Sequence, residues 1–352
     1  MARKRVIYQS EALFVGSTGN GSALTTPTEL YRVQSANYSF EVARTDVNEF
    51  GALARIDSII VEQPTVALDF SYFQTTGQNE AALGLTLSSS GSPLAALSGI
   101  LAGNGLEVKN YYIYVSPEGS DAQGYAGAAT AKCIGIGNGF LSSFSAEASV
   151  GDIPTTTVNA EGLNMRFFTD VTAQANPAVN PVNGENAAGT FTLSTPDGNS
   201  GISALRPGDI SFSLDNAAVQ GATASDLKIQ SFSLSFDLSR EPLEKLGSKF
   251  AFSREIEFPV TATMSVEAVL GDLEADNLAS IVANDSTVYT LSARINQPGT
   301  STIAIQYELR GAKLDSQDFS SSIGDNKTVS LSFSTQINGP EDITNGVFIF
   351  TS

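Results

Sequence analysis

The sequence predicts a mainly β protein built as two tandem β domains, and three observations carry that reading. The run over residues 33–44 alternates apolar and polar residues, and the run over 229–240 alternates in the same phase. Laid on one another, Ala36, Tyr38, Phe40 and Val42 fall on Phe232, Leu234, Phe236 and Leu238, while Ser39, Glu41 and Arg44 fall on Ser235, Asp237 and Arg240. The match holds as far as Gly51 and Gly247. Strict period-two alternation gives a strand one apolar face, here expected to supply core, and one polar face. Secondly, a composition rich in Gly, Ser, Thr and Asn favours strands and turns over long helices. Thirdly, 352 residues make room for two domains of the usual ~100–200, each able to bury about two-thirds of its unfolded surface.

Taken in order, residues 5–15 read as a first strand with 206–216 as its counterpart, each followed by a loop of small residues. After the repeated run comes a connection over 45–57 and a second long strand. There Val66, Leu68, Phe70 and Tyr72 point one way and Ala67, Asp69 and Ser71 the other. Its copy sets Val260, Ala262, Met264 and Val266 against Thr261, Thr263, Ser265 and Glu267, and matching Val66 to Val260 makes the first connection two residues longer. Each half then offers one helix. Ser92 is a good N-cap with Pro93 at the first helical position, followed by Leu94, Leu97, Ile100 and Leu101. Asp272 caps a second helix with an apolar stripe of Ala275, Leu278, Ile281 and Val282. Closing strands are expected at 111–115, 130–136 and 140–150, and again at 288–295, 303–309 and 328–333, with Leu163 and Met165 matched to Leu331 and Phe333. Residues 170–203, with NPAVNPVNGENAAG at their centre, are too poor in large apolar residues to fold alone. They read as the linker between domains at 1–169 and 204–352, with one short hairpin at 190–193. Residues 116–129 read as an insertion and 347–350 as a last strand.

Composition removes much chemistry. The chain has no His, no Trp and one cysteine, Cys133. Ser-His-Asp and Cys-His catalysis, His-based metal sites and an internal disulfide are therefore excluded. Cys133 lies in an apolar run and reads as a small buried hydrophobe rather than a reactive thiol. Gly135, Gly137 and Gly139 lack the spacing and downstream acid of a dinucleotide fingerprint and read as a glycine-rich strand end. Glu41, Asp69, Asp237 and Glu267 are candidates for a paired-carboxylate glycosidase site, but the absence of Trp removes the usual sugar platform. Asp152, Asp315 and Asp325 sit in Gly/Ser-rich stretches without the EF-hand spacing, and turn formation accounts for them. No enzyme activity, cofactor or metal is expected.

The balance of 19 Lys+Arg against 37 Asp+Glu gives a formal charge of −18. Binding nucleic acid by counterion release needs clustered cations, and the one cluster is Arg3-Lys4-Arg5. The acidity reads either as a well-solvated surface or as a surface that must repel a polyanion. The start has a basic region without the apolar block of a signal peptide, and no stretch reaches ~18 apolar residues. A cytoplasmically made protein without membrane insertion is expected.

The repeated polar faces are the most informative feature. The first copy shows Ser35, Asn37, Ser39 and Glu41, then Asp69 and Ser71; the second shows Ser231, Ser233, Ser235 and Asp237, then Thr263, Ser265 and Glu267. A solvent-exposed sheet is normally protected from edge pairing by Lys and other charges. Small hydroxyl residues with occasional acids suit a smooth, weakly anionic wall, which neighbouring subunits would continue into a barrel. A polar face that simply meets water is the other reading.

The stretch IQSFSLSFDLSREPLEKLGSKFAFSREIEFPVTATMSVEAVL (229–270) resembles the tail tube proteins of tailed bacteriophages, in which two long strands joined by a variable loop are followed by a helix. VQSANYSFEVARTDVNEFGALARIDSIIVEQPTVALDFSYF (33–73) looks like the same unit. The resemblance implies two tandem tail-tube-like β-sandwich or barrel domains, each with a flanking helix, whose strands join those of neighbours into a continuous β-barrel. Rings would stack into a hollow conduit for genome delivery, with the polar-face residues just named lining the lumen. It also implies ring stacking through the loops at 45–58 and 241–255, with Asp46, Asn48, Glu49, Arg55, Glu244, Lys245, Lys249 and Arg254 as candidates and residues 1–5 as an arm. The implied partners are the chain itself, as a trimeric ring with pseudo-sixfold symmetry or a hexamer, and stacked rings. Sheath, tape measure and terminator proteins follow, with DNA in transit and not specifically bound. The implied location is the virion tail, assembled in the host cytoplasm. Two other readings stand beside it: a glycan-binding adhesin of two β-sandwiches, and another tail element such as a sheath or terminator.

Overall fold

A computed structural model describes residues 6–7, 10–19, 24–61, 63–89, 93–102, 107–125, 127, 130–197, 204–215, 218–219, 222–223, 227–248, 250–272, 287–322, 326–337, 339 and 342–351. The chain opens with β1 (Glu11–Ser17) and β2 (Thr28–Glu29), then the first repeated hairpin, β3 (Val33–Glu41), β4 (Arg44–Val47), β5 (Asp57–Ile60) and β6 (Thr65–Phe73). Two short helices, α1 (Gln78–Ala82) and α2 (Ser98–Leu101), flank β7 (Leu87–Ser88). There follow β8 (Val108–Val115), β9 (Lys132–Ser149), β10 (Thr155–Gly162), β11 (Asn164–Phe168), β12 (Gln174–Ala175) and β13 (Thr190–Phe191). Next come β14 (Ile210–Asp215), the small ribbon β15 (Ala218–Val219) with β16 (Ala222–Thr223), and the second repeated hairpin, β17 (Leu227–Asp237), β18 (Arg240–Leu243), β19 (Ser253–Ile256) and β20 (Val260–Leu270). The chain closes with β21 (Tyr289–Asn296), β22 (Ile303–Ser320), β23 (Thr328–Ile337) and β24 (Gly346–Phe350).

The protein is thus mainly β. Its main sheet runs β14-β21-β22-β23-β20-β17-β9-β10-β6-β3, so strands of both halves share one hydrogen-bonded surface. The sheet is open, and no closed barrel forms among the described residues. One apolar core spanning both halves lies behind it, where Phe144 of β9 stacks on Phe236 of β17 at 5.3 Å between ring centroids.

The pairing pattern recurs residue for residue. Asn37 faces Asp69, and Ser233 faces Ser265, each 196 places further on (37 to 233, 69 to 265). Arg44 faces Ile60, as Arg240 faces Ile256. Both hairpins even skip a residue at the same place. The skipped Gln34 donates its side-chain amide to Arg32 O at 2.9 Å, and Gln230 does the same to Lys228 O at 3.1 Å. One offset therefore spans each hairpin, which corrects the match of Val66 to Val260 and the two-residue insertion: Val66 corresponds to Ala262, since they stand opposite Phe40 and Phe236. The connection expected over 45–57 is largely the β4–β5 ribbon, whose ladder satisfies backbone groups that a bare loop would leave to water.

The later strands repeat with an offset of 173: bulges fall at Ser142 of β9 and Asp315 of β22, and Val158 and Leu331 stand opposite Phe70 and Val266. This corrects the match of Leu163 and Met165 to Leu331 and Phe333. Met165 instead faces Ile136, as Val347 of β24 faces Leu309. The two strands expected at 130–136 and 140–150 are one strand of 18 residues, and the one expected at 303–309 grows into β22 of equal length. The breaks read from the sequence are real but local. Asn138 (φ 55°) and Gly311 (φ 65°), again 173 apart, take a left-handed conformation at a bulge through which the strand continues.

The expected helix at Ser92 is reduced to the single turn α2, capped by Leu97; Ser92 itself lies outside the described residues. The backbone ahead of it is engaged sideways. Leu94 N donates to Ser88 Oγ (2.9 Å), Ala96 N to Val347 O (2.7 Å) and Thr86 N to Ala96 O (2.7 Å), so these groups cannot join a helical ladder. The helix expected after Asp272 falls on 273–286, outside the described residues. Unforeseen in the sequence, α1 begins after Gly77 (φ 80°).

The segment after β11 is docked on the first half. Val171, Phe191 and Leu193 pack with Phe14, Tyr112, Tyr114 and Phe168. In place of the short hairpin expected at 190–193, β13 supplies one strand of a ladder whose other strand is β12, at 174–175. Asn138 exchanges two hydrogen bonds with Val179, of 2.8 and 3.1 Å. The glycine run inside β9 lets this segment cross the sheet: a Cβ on Gly137 would strike Pro177 O and the Ala178 backbone. Gly137→Ala is expected to cost about 1–3 kcal/mol by overpacking, read as a lowered denaturation midpoint. Gly208→Ala, where a Cβ meets open space, is the matched control and should change stability by less than about 0.5 kcal/mol.

Candidate functional site

The polar face is built by cross-strand pairing. From β3 to β23, Ser35, Ser71, Thr157, Ser145, Ser235, Thr263 and Ser334 stand opposite one another in a single row that ends on Lys313 of β22. Beside it runs a second row, Thr155, Glu147, Ser233, Ser265, Ser332 and Ser316. Because directly paired residues point the same way, all the polar-face residues named from the sequence share one side of the sheet. Asn37, Asp69, Asn159 and Ser143 form another row across the first half, which ends on Asp237 of β17.

Neighbouring hydroxyls hold one another. Ser35 Oγ and Ser71 Oγ lie 2.7 Å apart, and Ser235 Oγ and Thr263 Oγ1 2.9 Å. With its amide oxygen accepting from Ser143 Oγ at 2.7 Å, Asn159 donates to Asp69 Oδ1 at 3.1 Å. Such pairs stabilise a sheet by about 0.2–1 kcal/mol each and keep side chains short and flat against the wall. Glu41, Asp69, Asp237, Ser265 and Glu267 are exposed, as are Ser35, Asn37 and Ser39; Ser71, Ser231, Ser233, Ser235 and Thr263 are half-buried. Around Glu147, Ser233, Glu267 and Asp318 the face is hollowed into a concavity of about 940 Å³.

Behind this wall Leu68, Phe70, Leu234, Phe236, Met264 and Phe333 are buried. The first copy differs at its margin, which corrects the expectation that both apolar faces supply core: Tyr38 is only half-buried and Phe40 is 63% exposed. The cause is position in the sheet. β17 is flanked by β9 and β20, whereas among the described residues β3 pairs with β6 alone.

The ring-stacking candidates lie on two projecting arms. Asp46 and Arg55 pair at 2.8 Å on the β4–β5 arm, where Asn48 and Glu49 follow β4. On the β18–β19 arm Lys245 lies over the Phe252 ring at 5.7 Å, next to exposed Glu244. Arg254 sits lower, with its side chain 9% exposed, bonded to Glu161 at 3.4 Å. Together with Arg240 it lies over the Phe140 ring, at 5.7 and 4.7 Å, which braces this arm against β9. Burial pulls the Arg240 guanidinium down to about 10, with Arg254 adding to the effect and Glu107, Glu255 and Glu161 opposing it. Lys249 and residues 1–5 lie outside the described residues. Sequence reasoning missed the apolar tips. Phe50 and Leu246, 196 places apart, are fully exposed immediately before the left-handed Gly51 and Gly247. The signal is in the sequence, where Phe50-Gly51 aligns with Leu246-Gly247.

Elsewhere, Cys133 is 1% exposed and burial pushes its thiol well up. Asp152 lies in a turn, accepting from Ser149 Oγ at 3.0 Å. Asp315 is a bulge residue inside β22 and not a turn residue, because the strand runs on past Gly311; Asp325 lies outside the described residues. Among the described residues no cluster of three His, Cys, Asp or Glu side chains forms a metal site, and no helix is long and apolar enough to cross a membrane. No family model matches the chain, and no curated protein matches it.

Proposed function

We propose that the chain is a structural subunit of a hollow tube, a phage tail tube protein whose stacked rings conduct the genome. The observation that supports this reading is the wall: two copies of one hairpin place short hydroxyls and acids across one continuous sheet, with the core behind them. A surface of this kind offers DNA no cation cluster to condense on, and its acids repel phosphate at short range. Passing DNA slides without being held.

On this reading the halves at 1–169 and 204–352 are tandem tube domains. Three chains then supply six hairpins to a pseudo-sixfold ring, with a hexamer of chains as the alternative symmetry. The exposed apolar tips at Phe50 and Leu246, next to the charged arm residues, meet the adjacent ring. The protein belongs to the virion tail, is not an enzyme and needs no cofactor; sheath, tape measure and terminator proteins are its neighbours. Electron microscopy of the purified chain tests this directly. Stacked rings with a pore lined by Ser35 and Ser233 are expected. A compact monomer under all conditions, or rings carrying these serines on the outer wall, would overturn the reading.

A further inference from the structure

The junction between the two halves is a template for a junction between two chains. Residues 143–147 of β9 have β10 on one side and β17 on the other. The strand in the equivalent position of the second half is β22, whose residues 313–320 pair with β23 and, among the described residues, with no second strand. β3, the counterpart of β17, is likewise paired on one side only. Among the described residues each chain thus has two unlike sheet edges without a second strand, and the chain itself contains the joint that would connect them.

We propose that β3 of one copy pairs antiparallel with β22 of the next copy in the register that β17 keeps on β9. Shifting the observed pairs by their offsets of 196 and 173 specifies the contact. Leu234 opposite Ala146 becomes Tyr38 opposite Phe319, Ser233 opposite Glu147 becomes Asn37 opposite Ser320, and Asp237 opposite Ser143 becomes Glu41 opposite Ser316. The edges fit this partner in three ways. Phe40 and Phe319, 63% and 47% exposed, lie on the core side, where Leu234 and Phe236 are buried at the intrachain joint. Asn37 and Ser39 of β3 with Ser316, Asp318 and Ser320 of β22 continue the polar face of hydroxyls, amides and acids across the joint. β3 also carries no Lys, Arg or Pro, the residues by which natural edges refuse a partner. The contact joins unlike surfaces, so it repeats head to tail; its closure into a ring rests on the tube reading above, whereas the pairing rests on the intrachain joint.

A double variant, Asn37→Cys with Ser320→Cys, tests it, since directly opposed strand residues bring Cβ atoms within disulfide reach. Mild oxidation should yield a ladder of covalent oligomers on a non-reducing gel, forming at least about tenfold faster than in Asn37→Cys with Phe319→Cys, whose thiols point to opposite faces. Asn37→Cys with Ser322→Cys reports a two-residue slip. Rings that crosslink faster through the slipped pair, or through neither pair, would overturn this register while leaving the tube intact. A chain that remains monomeric in every variant and in the unmodified protein would overturn both.

Discussion

Phe40→Asp and Phe319→Asp, each alone, are expected to abolish assembly and leave a folded monomer. Both side chains are exposed in the single chain, so replacing either should move monomer stability by about 0.5 kcal/mol or less. At the proposed joint the accounting reverses. Each contact loses about 1.5–3 kcal/mol of aromatic burial. At position 40 a carboxylate taken out of water adds several kcal/mol more, whereas at position 319 Lys327, 5.1 Å from the Phe319 ring centroid, offsets part of that charge. The defect recurs at every joint of a ring. Sedimentation velocity beside a thermal melt separates the effects: a monomer peak with an unchanged melting temperature is expected. Wild-type rings from either variant would refute the contact.

Glu80→Gln is expected to flatten a pH dependence, and Glu80→Ala to destabilise the fold. Glu80 of α1 is fully buried where the halves meet, and its Oε1 accepts from Tyr72 OH of β6 at 2.9 Å and Tyr307 OH of β22 at 3.0 Å. Burial raises its pKa, against the lowering effect of the hydrogen bonds it accepts from its own backbone and the two tyrosines. The folded state therefore holds the proton more tightly than the unfolded chain. Its contribution is fully present below the ordinary glutamate range and is lost as pH rises from there through the raised native value, by up to about 1.4 kcal/mol per pH unit. Gln keeps the acceptor and cannot ionise, so denaturant midpoints of Glu80→Gln should lack this decline. Ala leaves both hydroxyls without their acceptor, at about 1–3 kcal/mol each. Parallel pH profiles for wild type and Glu80→Gln would show that the carboxyl does not set the dependence.

Local alternation made β3, β6, β17 and β20 legible, because a period of two needs only a dozen residues to declare itself. The helix expected from Ser92 shrinks to α2 for a complementary reason: capping residues report what an isolated segment prefers, whereas Ser88 and the distant Val347 take up the backbone N–H groups of Leu94 and Ala96. The fused strands β9 and β22 were hidden by Asn138 and Gly311, which look like stops and act as bulges.

By itself the sequence determined that a strand pair occurs twice, which residues share its polar face, and that this face is hydroxylic and acidic with no histidine chemistry available. Only the tertiary structure decided that β17 is sealed against β9 while β3 stays open, and so why Phe236 is core and Phe40, its counterpart, is exposed. Side-chain polarity is written residue by residue, whereas an edge is defined by which strand fails to arrive beside it.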